Sequence, residues 1–280
     1  MIPLQEALQS LNPRQKPGIV KHLATAHIDR WEDFDKWHLT RFAGEVKETM
    51  APSSAHTTFA VLKAFLAQFE DELPNLPKNY REILKAKNEA PMKTYLTKEE
   101  VEAFGNAWLD SDMERTVRDG FYVSCKTGLR HSDLIKLLPS NFQKREEGGW
   151  YLNYVSKKTR IQSTIICSDA TKEKVEWLHK HGKQNLSISY YNNMVRELAQ
   201  RAEINTEVSV YKAGKEISGP KWMFLSSHSA RISFCTILAD LGTDILDIMQ
   251  LAGHTNPAMS ARYIVRHDVK LNPKVESFLM

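Results

Sequence analysis

The sequence predicts a mainly α-helical chain with a small antiparallel β-sheet, divided into two domains. Apolar residues recur at helical spacing through most of the chain. One pair of short β-branched and aromatic segments flanks a polar turn and interrupts that pattern. The chain has 280 residues, long for one domain and comfortable for two at roughly 100–200 residues each. A lysine- and proline-containing stretch, KAKNEAPMKT at 85–94, supplies a place for the division.

Taken in order, Leu4, Ala7 and Leu8 begin the first helical region, and Ile19, Leu23 and Ile28 mark a second segment. Phe34, Trp37, Leu39 and Phe42 continue with looser helical spacing. Pro52-Ser53-Ser54 precedes an amphipathic helix with Phe59, Leu62, Phe65, Leu66 and Phe69 on one side, broken by Pro74 and Pro77. A short segment near Tyr80 to Leu84 completes a helical domain over 1–88. A linker over 89–94 and a second domain over 95–280 follow. Thr97 caps the next helix, with Glu100 at its third position, the capping-box arrangement. Trp150 to Val155 and Ile161 to Cys167 read as a hairpin around the basic turn Ser156-Lys157-Lys158-Thr159-Arg160. Helices are expected again at 171–181, 190–202, 227–241, 244–252 and 257–266.

Composition excludes several classes. At 42% hydrophobic and 26% charged the chain is neither disordered nor collagen-like. No apolar run reaches the roughly 20 residues needed to span a bilayer. The N-terminus lacks the basic and apolar regions of a secretory signal. The three cysteines, Cys125, Cys167 and Cys235, are odd in number and widely spaced, against a disulfide framework or a zinc site. A cytoplasmic location is expected. Residues 1–92 carry 12 basic and 12 acidic side chains, whereas 93–280 carry 26 and 22, so the net +4 belongs to the second region. That excess favours a polyanionic partner.

No phosphate loop, dinucleotide fingerprint or H-E-x-x-H motif is present. A set of cations, histidines and one tyrosine stands out instead. In TGLRHSDL, Gly128 breaks one helix and Arg130 stands near the start of the next, where free backbone N–H groups suit an anion. His228 and Arg231 are three residues apart, on one helix face. The arginine can grip a phosphate through two parallel bonds, and the imidazole can move a proton near neutral pH. Gly253 is a natural helix terminator beside His254. Asn256-Pro257 gives an N-cap and a first-turn proline. Tyr263 is expected nearly two turns into the helix that follows.

The order Arg130, hairpin lysine, His228, Arg231, His254, Tyr263 resembles the tyrosine recombinase (phage integrase) family. The segments TGLRHSDL, HSARISF and LAGHTNPAMSARYI carry the resemblance, with family steps of three residues from His228 to Arg231 and nine from His254 to Tyr263. It spans residues 95–266. It implies a two-domain DNA clamp, a helical core-DNA-binding domain plus a catalytic domain. It also implies cleavage and rejoining of DNA through a 3′-phosphotyrosyl intermediate without metal, ATP or another cofactor. By the same resemblance Tyr263 is the nucleophile and Arg130 and Arg231 hold the phosphate. His228 serves as base and later acid, and His254 bonds the phosphate. The hairpin lysine protonates the leaving 5′ oxygen. Strand alternation leaves Lys157 and Lys158 open, and the family's Lys-Thr pairing favours Lys158. Asp133 orients the site.

The implied partners are double-stranded DNA and, in the synaptic complex, a homotetramer of a protein that is monomeric when free. An accessory DNA-bending protein and a nucleoid-associated location in a bacterial or phage-infected cell go with these. Val275, Phe278 and Leu279 are expected to dock on a neighbouring protomer. Integration or excision of a phage or mobile element is the leading function. Resolution of chromosome or plasmid dimers is the alternative within the chemistry. A DNA-binding protein without catalysis is opposed by active residue types at all six matched positions. A phosphohydrolase would leave the tyrosine and the extra helical domain unexplained.

Overall fold

The structure, a computed structural model, describes residues 2–86, 93–181, 186–212 and 215–265, the backbone alone at 211, 212 and 215. The chain divides into two compact units: Met1–Met92 with Tyr211–Ile217, and Lys93–Val210 with Ser218–Met280. Most of the expected linker and the tail residues Val275, Phe278 and Leu279 lie outside the described residues.

The first unit holds helices α1 (Leu4–Ala7), α2 (Lys16–Thr25), α3 (Lys36–Thr49), α4 (Pro52–Gln68) and α5 (Tyr80–Ile83). Asp35 caps α3 by accepting from His38 N at 2.9 Å, and Pro52 opens α4, where its missing N–H costs nothing. The apolar face of α4 becomes core: Phe59, Leu62, Phe65 and Leu66 are buried, with Phe69 packed against them. Trp31 stacks on Phe65 with centroids 5.9 Å apart. Burial of such faces, rather than propensity, stabilises helices of this length.

The second unit is built around α7 (Asp112–Thr127), whose Val117, Phe121 and Cys125 are buried among side chains of α6 (Lys98–Gly105), α10 (Ile188–Arg201) and α11 (Ser227–Asp240). The capping box of α6 forms as expected: Thr97 Oγ1 accepts from Glu100 N and Glu100 Oε2 from Thr97 N. Asp119, fully buried on α7, accepts from Arg115, Arg118 and Lys174; the last stands on α9 (Asp169–His181). A buried carboxylate satisfied by three cations locks these helices together.

After α8 (His131–Leu134), strands β1 (Phe142–Lys144), β2 (Trp150–Val155) and β3 (Gln162–Cys167) form an antiparallel sheet in that order. Leu152 pairs with Ile165 and Tyr154 with Ser163, which puts these four on the buried face. β1 and a second hairpin, β4 (Glu207–Lys212) with β5 (Lys215–Pro220), were not expected. Val208 and Val210 do alternate with polar residues in β4, a short signal easily lost among neighbouring helices.

Helices α12 (Ile245–Ala252) and α13 (Pro257–Ala261) close the described chain. α13 is shorter than the helix expected over 257–266. Tyr263 N bonds to Ser260 O at 2.8 Å, three residues back, and Thr236 Oγ1 accepts from Val265 N at 3.1 Å. A tertiary side chain thus takes the donor that another helical turn would use, and Tyr263 stands in a turn just past the helix.

Candidate active site

Two helix corners, one hairpin turn and one helix face supply the site. At the first corner α7 ends on Gly128, whose φ of 67° is left-handed. Its carbonyl accepts from Arg231 Nη1 at 2.7 Å. Arg130 is the N-cap of α8 and donates to Ser156 Oγ at 3.1 Å. Asp133 lies 4.0 Å from Arg130 and also accepts from Lys157 N at 3.3 Å, tying the corner to the hairpin turn.

At the second corner α12 ends on Gly253, φ 63°, and Asn256 caps α13 by accepting from Met259 N. His254 lies between them, 1% exposed. Its Nδ1 is 2.9 Å from Ser260 Oγ. The corner is fastened to the sheet: Thr159 Oγ1 donates to Gly253 O, and Ser163 Oγ to Gln250 O.

The face of α11 presents His228 and Arg231 together, as their three-residue spacing requires. Arg231 is 1% exposed and its guanidinium lies 5.2 Å from the centroid of the Tyr263 ring. The His228 and Tyr263 rings are 5.1 Å apart, and His254 stacks on Tyr263 at 4.6 Å and 29°. Burial is the main cause that lowers the pKa of His228, followed by Arg231, Arg130, Lys93 and Lys158. Burial, then Arg231 and Arg130, push His254 down to about 3. Both imidazoles are therefore neutral at pH 7 among fixed cations. Arg231 too is lowered, by burial and by Arg130.

Five of the six singled-out residues thus converge: Arg130, His228, Arg231, His254 and Tyr263. Lys158 is exposed in the turn after β2, as is Lys157. Strand alternation does not apply to them, because both lie in the turn. Their surroundings differ: the charge of Lys158 bears on His228, whereas Lys157 faces Lys136. His131, next to Arg130, sets its ring against Tyr191 at 4.3 Å.

Arg231 Nε, Arg231 Nη2 and His254 Nε2 are buried with no hydrogen-bond partner among the described residues. Unsatisfied buried donors are costly, and three beside one another suit an oxyanion. Among the described residues no group of three or more His, Cys, Asp or Glu could hold a metal ion.

The sequence profile of the Phage integrase family matches residues 94–269. The chain belongs to the Phage integrase family, the tyrosine recombinases. No curated protein sequence gives a significant match. Among solved structures, it resembles a Tn1549 transposon integrase in complex with a circular intermediate DNA, with TM-score 0.66 and 16% identity over 100% of both chains. A lambda integrase dimer bound to a core site matches with TM-score 0.68 and 15% identity, over 97% of this chain and 99% of that one. The XerH site-specific recombinase in a post-cleavage DNA complex matches with TM-score 0.63 and 15% identity, over 94% and 75%. At such identities the likeness establishes the fold: a mainly helical tyrosine recombinase with small antiparallel sheets. Among the described residues no helix is long and apolar enough to cross a membrane.

Some residues at the site were not singled out in the sequence. Tyr154 is buried with its hydroxyl unpartnered among the described residues, and burial raises its pKa. Its inward aim was readable from the alternation of β2. Ser156 and Ser260 orient Arg130 and His254. Lys93, in the segment read as linker, places its ammonium 5.6 Å from the Tyr263 ring.

Proposed function

We propose that this recombinase is an integrase that cleaves and rejoins DNA through a covalent bond between Tyr263 and a 3′ phosphate, for integration or excision of a mobile element. The observation that carries the proposal is the trio of unpartnered buried donors on Arg231 and His254 beside the Tyr263 ring. They suit the non-bridging oxygens of a phosphodiester, with Arg130 reaching the same anion from the α8 corner. Preorganised donors aimed at developing charge are commonly the largest catalytic contribution. His254 can donate from Nε2 when Ser260 Oγ donates to its Nδ1, which fixes the tautomer.

In the step proposed, Tyr263 Oη attacks phosphorus and the P–O5′ bond breaks. The phenolic proton passes to His228, neutral and next to the ring. Lys158 gives a proton to the leaving 5′ oxygen. Rejoining reverses the sequence with a new 5′ hydroxyl. The first unit is proposed as the core-DNA-binding domain: on α3, Trp37 is 61% exposed beside Lys36, with the Arg41 guanidinium 5.6 Å from its ring. Cation and aromatic side by side suit a nucleic-acid surface. A homotetramer on two DNA sites, served by an accessory bending protein, is the proposed working assembly.

The test uses labelled DNA from the region flanking the gene, including nicked suicide duplexes, without metal or ATP. Wild type is expected to give an SDS-resistant adduct, absent in Tyr263→Phe and reduced about 100- to 1,000-fold in Arg130→Ala. DNA that is bound specifically but forms no adduct would overturn the catalytic reading.

A further inference from the structure

Side chains from three parts of the chain surround the nucleophile's ring, and one belongs to none of the motifs. Arg231 and His228 face Tyr263 from α11, and His254 stacks on it from the α12–α13 corner. Arg262 precedes it in the chain. Lys93 supplies the remaining cation, from the segment just before α6.

That segment is strapped to α11. Leu96 N donates to Ser233 Oγ at 2.8 Å, and Ser233 Oγ donates in turn to Ser229 O at 2.8 Å. Ser233 is fully buried, as is Leu96, and Thr94 is nearly so. The backbone is therefore fixed three residues from Lys93, on the helix that bears His228, Arg231 and Cys235. Lys93 itself is half-buried. Its pKa is lowered by burial first and by Arg262 second, with Cys235 acting the other way. Its charge in turn contributes to keeping His228 neutral.

We propose that Lys93 is a positioning residue for Tyr263, holding a positive charge against the ring so that the phenolate needed for attack on phosphorus is stabilised. A cation near an aromatic face is attracted by the ring quadrupole, and the attraction grows once the ring carries negative charge. Arg231 is committed to Gly128 and, in the proposed function, to phosphate. Lys93 supplies charge to the nucleophile from the other side of that division of labour. The inference rests on Tyr263 being the nucleophile, and its test does not require DNA.

The full chain is labelled with tyrosine carrying ¹³C at Cζ, and the Tyr263 resonance is assigned by its loss in Tyr263→Phe. Alkaline titration is followed in wild type, Lys93→Met, Lys93→Gln, Lys93→Arg and the exposed control Lys98→Met. A neighbouring cation favours the ionised phenol, and arginine, unlike lysine, keeps its charge through the alkaline range, so the midpoint should lie higher in the two neutral variants than in Lys93→Arg. Lys98→Met should leave the wild-type midpoint alone. In single-turnover adduct formation, the pH profile of Lys93→Met should lie above that of Lys93→Arg. Equal midpoints in Lys93→Arg and both neutral variants overturn the role of Lys93, whatever the DNA result. A higher midpoint in the neutral variants without any adduct upholds it and counts against the catalytic reading alone.

Discussion

His254 is buried, neutral and stacked on Tyr263, and its state bears on folding stability. Burial together with Arg231 and Arg130 lowers its pKa to about 3, whereas in the unfolded chain an ordinary histidine titrates near 6.5. Between those values the unfolded state binds the proton and the folded state does not, so folding stability falls as pH falls through that window. At pH 5 the loss attributable to this group is about 2 kcal/mol. Thermal melting should therefore decline between pH 7 and pH 5, and His254→Gln should remove that share of the decline. An unchanged slope would show that His254 is protonated in the fold. At this scale the sequence was informative where chemistry repeats at fixed local spacing. His228 and Arg231 share a helix face because of a three-residue step. His254 and Tyr263 meet because an N-cap and a proline turn the chain between them, just after the glycine that ends α12. Lys93 was illegible, because it lies 170 positions before the tyrosine and is brought there by tertiary contacts such as the bond from Leu96 to Ser233.

Elements, in this fold, matter most where they stop. Gly128 ends α7 with φ 67°, and a Cβ there would lie 2.5 Å from Phe234 Cδ1. Left-handed backbone and overpacking each cost an L side chain, and together about 2–4 kcal/mol is expected for Gly128→Ala. The same carbonyl accepts from Arg231 Nη1, so the substitution should lower adduct formation beyond any loss of folded protein. Urea unfolding measures the first effect, and cleavage per folded molecule measures the second. A variant as stable and as active as wild type would show that the corner tolerates displacement. Turn chemistry made both glycine corners and the Thr97 cap legible in advance. The end of α13 was not, because Thr236, distant in sequence, takes the Val265 N–H and stops the helix before Tyr263. β1, at three residues, carries too little pattern to be seen.

On the scale of the whole molecule, the two units carry separate cores. Among the described residues the buried apolar cluster of the first runs from Leu4 to Leu84, with Ala86 packed against it, whereas the clusters of the second begin at Leu96. Each contains enough buried aromatic and aliphatic side chains to stand alone, and both sizes fall within the range of ordinary domains. The motif residues lie in the second unit, and the net charge of +4 belongs to residues 93–280. A fragment of residues 1–92 should therefore unfold in urea as a cooperative unit with the second unit absent, at a slope reduced in keeping with its smaller exposed surface. The fragment 93–280 should retain fixed near-ultraviolet circular dichroism, since Trp222 packs against its own apolar cluster. Loss of cooperativity in the first fragment would mean that its core is completed by chain from outside it, and the hairpin residues Tyr211–Ile217, grouped with that unit, would be the first to graft back. Cooperative unfolding without them would establish that the division between a neutral helical unit and a basic unit bearing the tyrosine is also a division in folding.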